Sequence, residues 1–479
     1  SVTEIGYGAF YGCTGLTSIN IPDSVTEIGY GAFYGCTGLT SVTIGNGVNK
    51  IGNKAFTRCT KLTSVTIPNR VTKIGEWAFS DCISLTSIAN DPHNIENIIT
   101  IPNNVTSIGE GAFNGCTSLT SVTIPDRVNY IGQSAFKGCT KLTSINNIHN
   151  SIPNRVKVIS QFTFKGCKNL LSINIPDSVT EIGEGAFCNC TRLTSVKIGN
   201  GVNKIGRGAF VDCTNLRYTI TNGLNDNDRI VIPESVENIG SYAFKGCSAI
   251  RKVTINKGIT VVAGADIDNP VFAEIKKEIN DNAFSNCNDL SQVSILGQIT
   301  KIGDNAFKNC TSLTSITNDP ENIQNTITIP NSVESIGQCA FSGCEALDNL
   351  SIPNNVERIG ERAFDKCRNL KTITIGNSKI VENFNDIFGD LPIENVTINN
   401  DVKEIGNKAF LGCTNLKTVK ILGQITKIGD YAFMNCENLN SITIPNQNNN
   451  QNTITIPNSV EYIGQCAFLN CKDLLKVTI

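Results

Sequence analysis

The chain has 479 residues, of which 40% are hydrophobic and 17% are charged, and its formal net charge is −2. This balance gives none of the basic surface that nucleic-acid binding requires, and no run of 18 apolar residues is present to cross a membrane. We therefore expect neither a nucleic-acid partner nor membrane insertion within this segment. The chain enters at Ser1 in the middle of a repeat, so the lack of a targeting signal there says nothing about its compartment.

A unit of about 23 residues recurs along the whole chain. Written from Cys36, it reads Cys-x-x-Leu-x-x-Val-x-Ile-(Pro/Gly)-x-x-Val-x-x-Ile-Gly-x-x-Ala-Phe-x-x. In register with it are 18 phenylalanines and, three residues after each of 17 of them, 17 of the 20 cysteines. A fixed period in this range predicts a solenoid, whose turns bury their core against their neighbours. We therefore predict a single solenoid over residues 1–479.

Each unit predicts one strand followed by a turn segment. Val42 and Ile44 alternate with Ser41 and Thr43, so the apolar pair should point inward and the two hydroxyls outward. A proline or glycine then ends the strand, since proline has no amide hydrogen for a ladder. Within 55–62, apolar residues at i, i+1, i+4 and i+7 predict a short helical turn that caps the core.

The period slips at several places. Insertions rich in Asn and Asp, which favour turns, predict loops or short hairpins near 90–97, 222–228, 318–325 and 446–452. Smaller irregularities lie at 147–151 and 258–275. Residues 376–398 hold a degenerate repeat, in which Ile387-Phe388 replaces Ala-Phe and Leu391 replaces the cysteine.

The cysteines could form disulfides or metal sites, but 17 of them recur once per turn at an inward position. Side chains on adjacent parallel turns are about 4.8 Å apart, beyond the roughly 3.5–4.5 Å that separates the Cβ atoms of a disulfide. We therefore predict a ladder of buried free thiols. Cys188, Cys339 and Cys466 lie outside this register and are expected at the surface, and no cysteine spacing typical of a metal site occurs.

No residue pattern indicates catalysis, a metal site or a cofactor. His93 and His149 stand in Asn-rich connections without a second ligand or base nearby, which is typical of solvated loop residues. Five asparagines stand in the Asn-x-Ser/Thr pattern, at 104, 189, 309, 349 and 395, and three of them are kept as candidate glycosylation sites if a eukaryote secretes the protein. They are Asn104, Asn349 and Asn395.

The phrase Cys-Thr-x-Leu-Thr-Ser-Val-Thr-Ile-Pro-x-x-Val-x-x-Ile-Gly-x-x-Ala-Phe, which runs from Cys116 to Phe136, resembles the BspA-like leucine-rich repeat family over essentially the whole chain. The resemblance implies a β-rich α/β solenoid, a leucine-rich-repeat arc with one concave parallel sheet and about 18 repeats. Members are typically cell-surface or secreted proteins linked to adhesion. The resemblance therefore implies protein or glycan ligands on a host matrix or on other cells, and it supplies no catalytic residues.

Outward hydroxyl and amide side chains of successive strands form the candidate binding face. They should line up in rows across the concave sheet: Ser18, Asn20, Ser41, Thr43, Ser64, Thr66, Ser121, Thr123, Ser144 and Asn146. Three interpretations are open for these rows. The first is a merely solvated face of good strand formers, the second is a polar face that binds protein or glycan, and the third is an ice-binding array. Sheet curvature and interspersed Asn and Lys argue against the third.

The functional hypothesis is a non-enzymatic surface or secreted protein that presents this long polar face to protein or glycan ligands. The alternative is a structural repeat protein that assembles end to end into a filament or coat, and an enzyme of unknown type is the third. Neither end of the chain carries a cap, because it begins at Ser1 and stops at Ile479 within a repeat. We expect either a segment of a longer protein or copies that stack end to end.

Overall fold

The computed structural model describes residues 1–89, 99–146, 150–221, 224–225, 229–255, 278–318, 326–444 and 453–478. In these residues the chain is a parallel β-solenoid of about 18 turns, which confirms the predicted fold class. It divides into two compact units, Ser1–Ile250 and Arg251–Ile479. The predicted insertions near 90–97, 222–228, 318–325 and 446–452 and both histidines lie wholly or largely outside the described residues.

A regular turn contributes two strands. The major strand carries the Ser-x-Thr pattern, and in Ser41–Ile44 its residues alternate between exposed and buried as predicted. The minor strand ends at the isoleucine that comes before the recurring glycine of the repeat, as in Lys50–Ile51. Glycine is required after it because a Cβ on Gly52 would lie 2.7 Å from the backbone of Gly29 in the preceding turn.

In the first unit the major strands form two sheets, in the orders β13-β11-β9-β8-β6-β4-β2 and β15-β17-β19-β20, and β20 pairs antiparallel with β19. Their bounds are β2 Ser18–Ile21, β4 Ser41–Ile44, β6 Ser64–Thr66, β8 Ser87–Ala89, β9 Ile99–Thr100, β11 Ser121–Thr123, β13 Ser144–Ile145, β15 Ser172–Ile175, β17 Ser195–Ile198, β19 Tyr218–Thr221 and β20 Leu224–Asn225. A further major strand of this unit, β21 Arg229–Ile232, lies outside these two sheets. The minor strands are β1 Glu4–Ile5, β3 Glu27–Ile28, β5 Lys50–Ile51, β7 Lys73–Ile74, β10 Ser107–Ile108, β12 Tyr130–Ile131, β14 Val158–Ile159, β16 Glu181–Ile182, β18 Lys204–Ile205 and β22 Asn238–Ile239.

In the second unit the major sheet runs without interruption in the order β23-β25-β27-β28-β30-β32-β33-β35-β37-β38-β40. These strands are β23 Lys252–Ile255, β25 Gln292–Ile295, β27 Ser315–Thr317, β28 Ile327–Thr328, β30 Asn349–Ile352, β32 Thr372–Ile375, β33 Asn395–Ile398, β35 Thr418–Ile421, β37 Ser441–Thr443, β38 Thr453–Thr455 and β40 Lys476–Thr478. The minor strands form two separate sheets, β24-β26-β29-β31 and β34-β36-β39. Their bounds are β24 Glu278–Ile279, β26 Lys301–Ile302, β29 Ser335–Ile336, β31 Arg358–Ile359, β34 Glu404–Ile405, β36 Lys427–Ile428 and β39 Tyr462–Ile463.

The Ala-Phe segment, which we predicted as a short helical turn, is instead a run of hydrogen-bonded turns. Two positions per turn have a left-handed backbone, as at Gly31 (φ 59°) and Gly35 (φ 70°). The amides of Gly31, Phe33 and Gly35 donate to carbonyls of the next turn at 2.8–2.9 Å. A helix would need these amides for its own bonds, so the turn ladder that stacking requires excludes the helix.

Phenylalanine and cysteine columns fill the core. Phe33 and Phe56 are fully buried, and their rings stack with centroids 5.1 Å apart and planes 1° apart. All twenty cysteines have free thiols, and Cys188, Cys339 and Cys466 are partly or fully exposed, as expected.

The ladder thiols do more than fill space, a role that the sequence did not indicate. The Sγ of Cys59 donates to the carbonyl oxygen of Phe33 in the preceding turn at 3.2 Å, and the same pattern recurs along the column. Burial raises the pKa of Cys59 and of Cys139 to about 12, because the apolar core disfavours the thiolate.

The degenerate repeat contains the two helices of the described residues, α1 Ser378–Glu382 and α2 Phe384–Phe388. Asn377 caps α1, since its side-chain oxygen accepts the Lys379 amide at 2.8 Å. The sequence here lacks the Ile-Gly and Ala-Phe pairs of a regular turn, so nothing specifies a minor strand. The major strands β32 and β33 nevertheless pair across the repeat in full register.

Candidate binding face

The predicted rows exist in the structure. We call the outward side of the major strands the major face. On it β2, β4 and β6 pair in register and set six predicted residues in two rows. The rows are Ser18–Ser41–Ser64 and Asn20–Thr43–Thr66.

The other four predicted residues lie further along the same sheet. Ser121 pairs with Ser144, whose hydroxyl donates to the Ser121 hydroxyl at 3.0 Å. Thr123 pairs with Thr100. Asn146 follows β13 directly and is half-buried. The structure therefore brings all ten residues to one face of one sheet, although it does not by itself give them a role.

The major face is open at β2 and β4 in the first unit and closed at β25 and β27 in the second. Ser41 and Thr43 are exposed, whereas Gln292, Ser294 and Ser315, which occupy outward positions on β25 and β27, are buried. A ligand therefore finds accessible polar rows in the first unit.

The major sheet of the first unit is interrupted between β13 and β15. Asn146 and Asn150 both have a left-handed backbone there, with φ of 52° and 44°. Their side-chain oxygens replace ladder carbonyls, because Asn146 Oδ1 accepts the Ile124 amide at 2.6 Å and Asn150 Oδ1 accepts the Ile145 amide at 3.1 Å. Asparagine suits both roles, since it tolerates left-handed backbone and mimics a peptide group.

A groove of about 1000 Å³ lies at this interruption. The outward side chains of four major-face positions reach into it, together with the turns that follow those strands. The outward residues are Thr123, Asn146, Asn174 and Lys197, and the turn residues include Asp126, Arg127, Asn154 and Asp177. We call this the major-face groove.

The major-face groove is polar, and it contains an unsatisfied acceptor. Asn174 Oδ1 is buried and has no hydrogen-bond partner in the described residues. A buried acceptor without a donor is costly, so a ligand hydroxyl or amide that reached it would gain a hydrogen bond. Lys197 is exposed and adds a cation beside it. The groove thus brings Thr123 and Asn146, two predicted site residues, together with Asn174 and Lys197.

The candidate glycosylation sites differ in exposure. Asn104 is exposed, and its amide donates to the Asn69 carbonyl at 2.8 Å. Asn349 and Asn395 are half-buried on the outward side of β30 and β33. Glycosylation at all three stays a prediction, with Asn104 the most accessible of them.

The stacked parallel turns, the buried leucine and phenylalanine columns and the polar major face define a leucine-rich repeat solenoid. The chain belongs to the BspA-type leucine-rich repeat family, whose model matches six stretches of it. They are residues 1–98, 89–217, 146–265, 222–324, 319–388 and 446–479. Proteins built from such repeats are in general binding scaffolds. No match was found among curated proteins.

Solved structures of bacterial repeat proteins resemble this chain. A leucine-rich repeat protein from Bacteroides ovatus is 29% identical, with a TM-score of 0.56 over 75% of this chain and 86% of that one. A leucine-rich cell surface protein from Faecalibacterium prausnitzii is 30% identical over 61% of this chain and 83% of its own, with a TM-score of 0.36. In the described part of this chain, neither helix approaches the length of a membrane span.

Proposed function

We propose that this chain is a non-enzymatic binding protein of a cell surface or of the secreted fraction. Its major face in the first unit holds an extended polar ligand, either a glycan or a peptide. The family membership supports a binding scaffold, and the cell-surface description of the Faecalibacterium protein suggests the location.

The observation that carries the proposal is the groove at the sheet interruption. There the open rows meet Lys197 and the unpartnered Asn174 Oδ1, so polar rows that are otherwise only solvated converge on a concave site. Ligand hydroxyls are suited to this chemistry because each can donate to one amide and accept from another. The predicted row residues provide the approach to the groove.

Two lysine substitutions in the same row test this assignment. Thr123→Lys places a long cation in the groove, and Thr43→Lys places the same side chain earlier in the row at an exposed position. Both should leave stability nearly unchanged because both positions face solvent. Binding to a glycan array and to immobilised matrix proteins should fall with Thr123→Lys and persist with Thr43→Lys.

Equal losses with both variants would extend the site to the whole row. Full binding by both would show that the major face is not the binding surface and would point to the Asn-rich insertions. The structural alternative, end-to-end assembly into a filament or coat, stays a prediction. Light scattering over a concentration series, with electron microscopy of the same sample, is its test.

A further inference from the structure

A second groove lies on the opposite side of the repeat, where the degenerate repeat interrupts the minor strands. In a regular turn, two backbone amides donate to carbonyls of the preceding turn, and three backbone carbonyls accept amides of the preceding turn. For residues 357–365, Glu357 donates to Glu334 and Gly360 to Ile336 at 2.8 and 2.7 Å. In return, the carbonyls of Glu361, Ala363 and Asp365 accept amides of the preceding turn at 2.7–3.0 Å.

The next turn does not repeat this exchange. Five backbone groups that a regular following turn would bond to have no hydrogen-bond partner in the described residues. They are the carbonyls of Glu357 and Ile359 and the amides of Arg362, Phe364 and Lys366. The cause is the pair α1 and α2, whose own amides bond within the helices. A helix rises 1.5 Å per residue and a strand about 3.3 Å, so the helical segment is too short to cover the face.

The uncovered edge opens into a groove of about 2350 Å³, which we call the minor-face groove. The strand β31 and its turn form one wall, and α1 and α2 form the other. Ile359 is half-buried there, whereas the equivalent Ile302 and Ile336 of the two preceding turns are buried. The groove therefore exposes an apolar side chain together with an open strand edge.

Other turns of the chain show which charge fits this edge. The residue before the minor-strand isoleucine forms an ion pair with its counterpart one turn away in Lys50–Glu27 at 2.6 Å, Lys204–Glu181 at 2.9 Å and Lys301–Glu278 at 3.3 Å. At β31 this residue is Arg358, which is exposed. In the described residues Arg358 pairs with no carboxylate, so an acidic side chain would complement it.

Steric contact fixes the residue that follows the isoleucine. A Cβ on Gly360 would lie 2.4 Å from the amide nitrogen of Gln338 and 2.5 Å from the carbonyl carbon of Gly337 in the preceding turn. A strand stacked on Gly360 in the same way would face the same restriction. Its residue at that point must therefore be glycine.

We propose that the minor-face groove binds an extended segment of a partner protein, which adds to β31 as a parallel strand. The segment is about nine residues long and carries an acidic residue, an apolar residue and a glycine in succession. Its backbone supplies the two amides and three carbonyls that the degenerate repeat withholds, and its acidic side chain pairs with Arg358. Main-chain bonds to an open sheet edge provide the affinity, and the three side chains provide the selectivity.

The chain's own repeat supplies a probe. A labelled peptide of residues 26–34 contains Glu27-Ile28-Gly29 in the required order. Its phenylalanine is changed by Phe33→Ser, because Phe388 already fills the core beside Phe364, with ring centroids 5.5 Å apart. Fluorescence anisotropy with the full chain should show saturable binding. Gly29→Val in the peptide should weaken binding by about tenfold or more, since a Cβ there meets backbone.

A charge reversal distinguishes strand addition from loose adsorption. Glu27→Lys in the peptide should weaken binding about fivefold, as loss of a surface ion pair does at its upper limit. Arg358→Glu in the protein should weaken binding of the original peptide to the same extent, and it should restore binding of the Glu27→Lys peptide. The matched control Arg70→Glu, at another exposed arginine, should change neither.

Absence of saturable binding would overturn the proposal, as would binding that ignores both peptide substitutions. Dimerisation of the full chain that the peptide blocks would assign the groove to a second copy and not to another protein. Because the two grooves share no lining residue, these results leave the test of the major-face groove unaffected.

Discussion

The regular turn around Phe56 and the degenerate repeat at 376–398 have the same length but satisfy their backbone in different ways. The regular turn shares its amides and carbonyls with both neighbours. The degenerate repeat uses most of them internally, in α1 and α2, yet its major strand stays in register. Continuity of the major sheet therefore does not depend on continuity of the minor ladder.

The two regions also fill the core differently. Phe56 stacks on Phe33 and Phe79 with ring planes 1° and 4° apart. In the degenerate repeat, the Phe388 ring is tilted by 33° against Phe364, and the Phe384 ring, 5.1 Å from Phe388, is tilted by 52° against Phe410. Two tilted rings thus replace one stacked ring, which shows that the core requires apolar volume more than a particular ring geometry.

Alkaline pH should have the largest effect on this comparison, because regular turns carry a buried thiol and the degenerate repeat carries none. The folded pKa of Cys139 is about 12, raised from 9.0 by burial. Above pH 9 the unfolded chain loses this proton while the folded chain keeps it. The thiol should therefore add no pH dependence to the stability below pH 9 and should lower the stability as pH rises toward 12, by about 1.4 kcal/mol per pH unit for each such thiol.

Urea denaturation at pH 8, 9 and 10, followed by the fluorescence of Trp77, measures this dependence. Cys139→Ala should reduce the slope of stability against pH above pH 9 by about 1.4 kcal/mol per pH unit. This difference separates the effect of the thiol from that of lysines and tyrosines, whose ordinary pKa values lie in the same pH range. An unchanged slope would show that the Cys139 thiol is not protonated preferentially in the folded state. Thiol counting in denaturant should find most ladder cysteines reduced.

Removal of a core ring should distinguish the two regions next. Phe56→Ala deletes a fully buried, stacked ring and should cost about 3–5 kcal/mol. Phe388→Ala should cost less, because Phe384 lies 5.1 Å away and can move into the space. Urea denaturation gives both values, and hydrogen exchange should place the loss in the turns beside each substitution. Equal costs would mean that Phe384 cannot compensate.

A glycine pair should show the smallest effect. Gly12 has a left-handed backbone with φ 71°, Gly15 does not, and neither has an atom within 4 Å of an added Cβ. Gly12→Ala should cost about 1–2 kcal/mol, the penalty of the left-handed conformation for an L-residue. Gly15→Ala should be nearly neutral. Hydrogen exchange in the first two turns measures the difference, and similar values for both would remove the conformational explanation.

The sequence predicts the regular turn well because each strand position is determined by a period that repeats. The alternation of Val42 and Ile44 with polar residues gave the buried side, and the spacing of 23 gave the register of Ser41 with Ser18 and Ser64. The helical turn at 55–62 was wrong, because left-handed residues four apart produce the same apolar spacing as a helix. That distinction rests on backbone bonds to the next turn, which a single repeat does not contain.

The candidate sites were predictable only in part. The polar rows follow directly from alternation, so Thr123 and Asn146 were found. The grooves arise where stacking fails, and failure depends on which side chain replaces a ladder carbonyl. The spacing of 28 between Cys139 and Cys167 signalled the first interruption, and the degenerate repeat signalled the second. Neither signal could show that Asn174 would keep a buried acceptor or that α1 would leave β31 uncovered.

The turn ladder also has an electrostatic consequence. Its amides all point toward later turns, as from Phe33 to Ala55, while those of the minor ladder point toward earlier ones, as from Gly52 to Ile28. Aligned peptide dipoles in a helix accumulate opposite partial charges at its two ends. Here two columns of opposite direction run side by side, so their dipoles oppose each other at every regular turn. Each added repeat therefore contributes a smaller net dipole than the turn ladder alone would give.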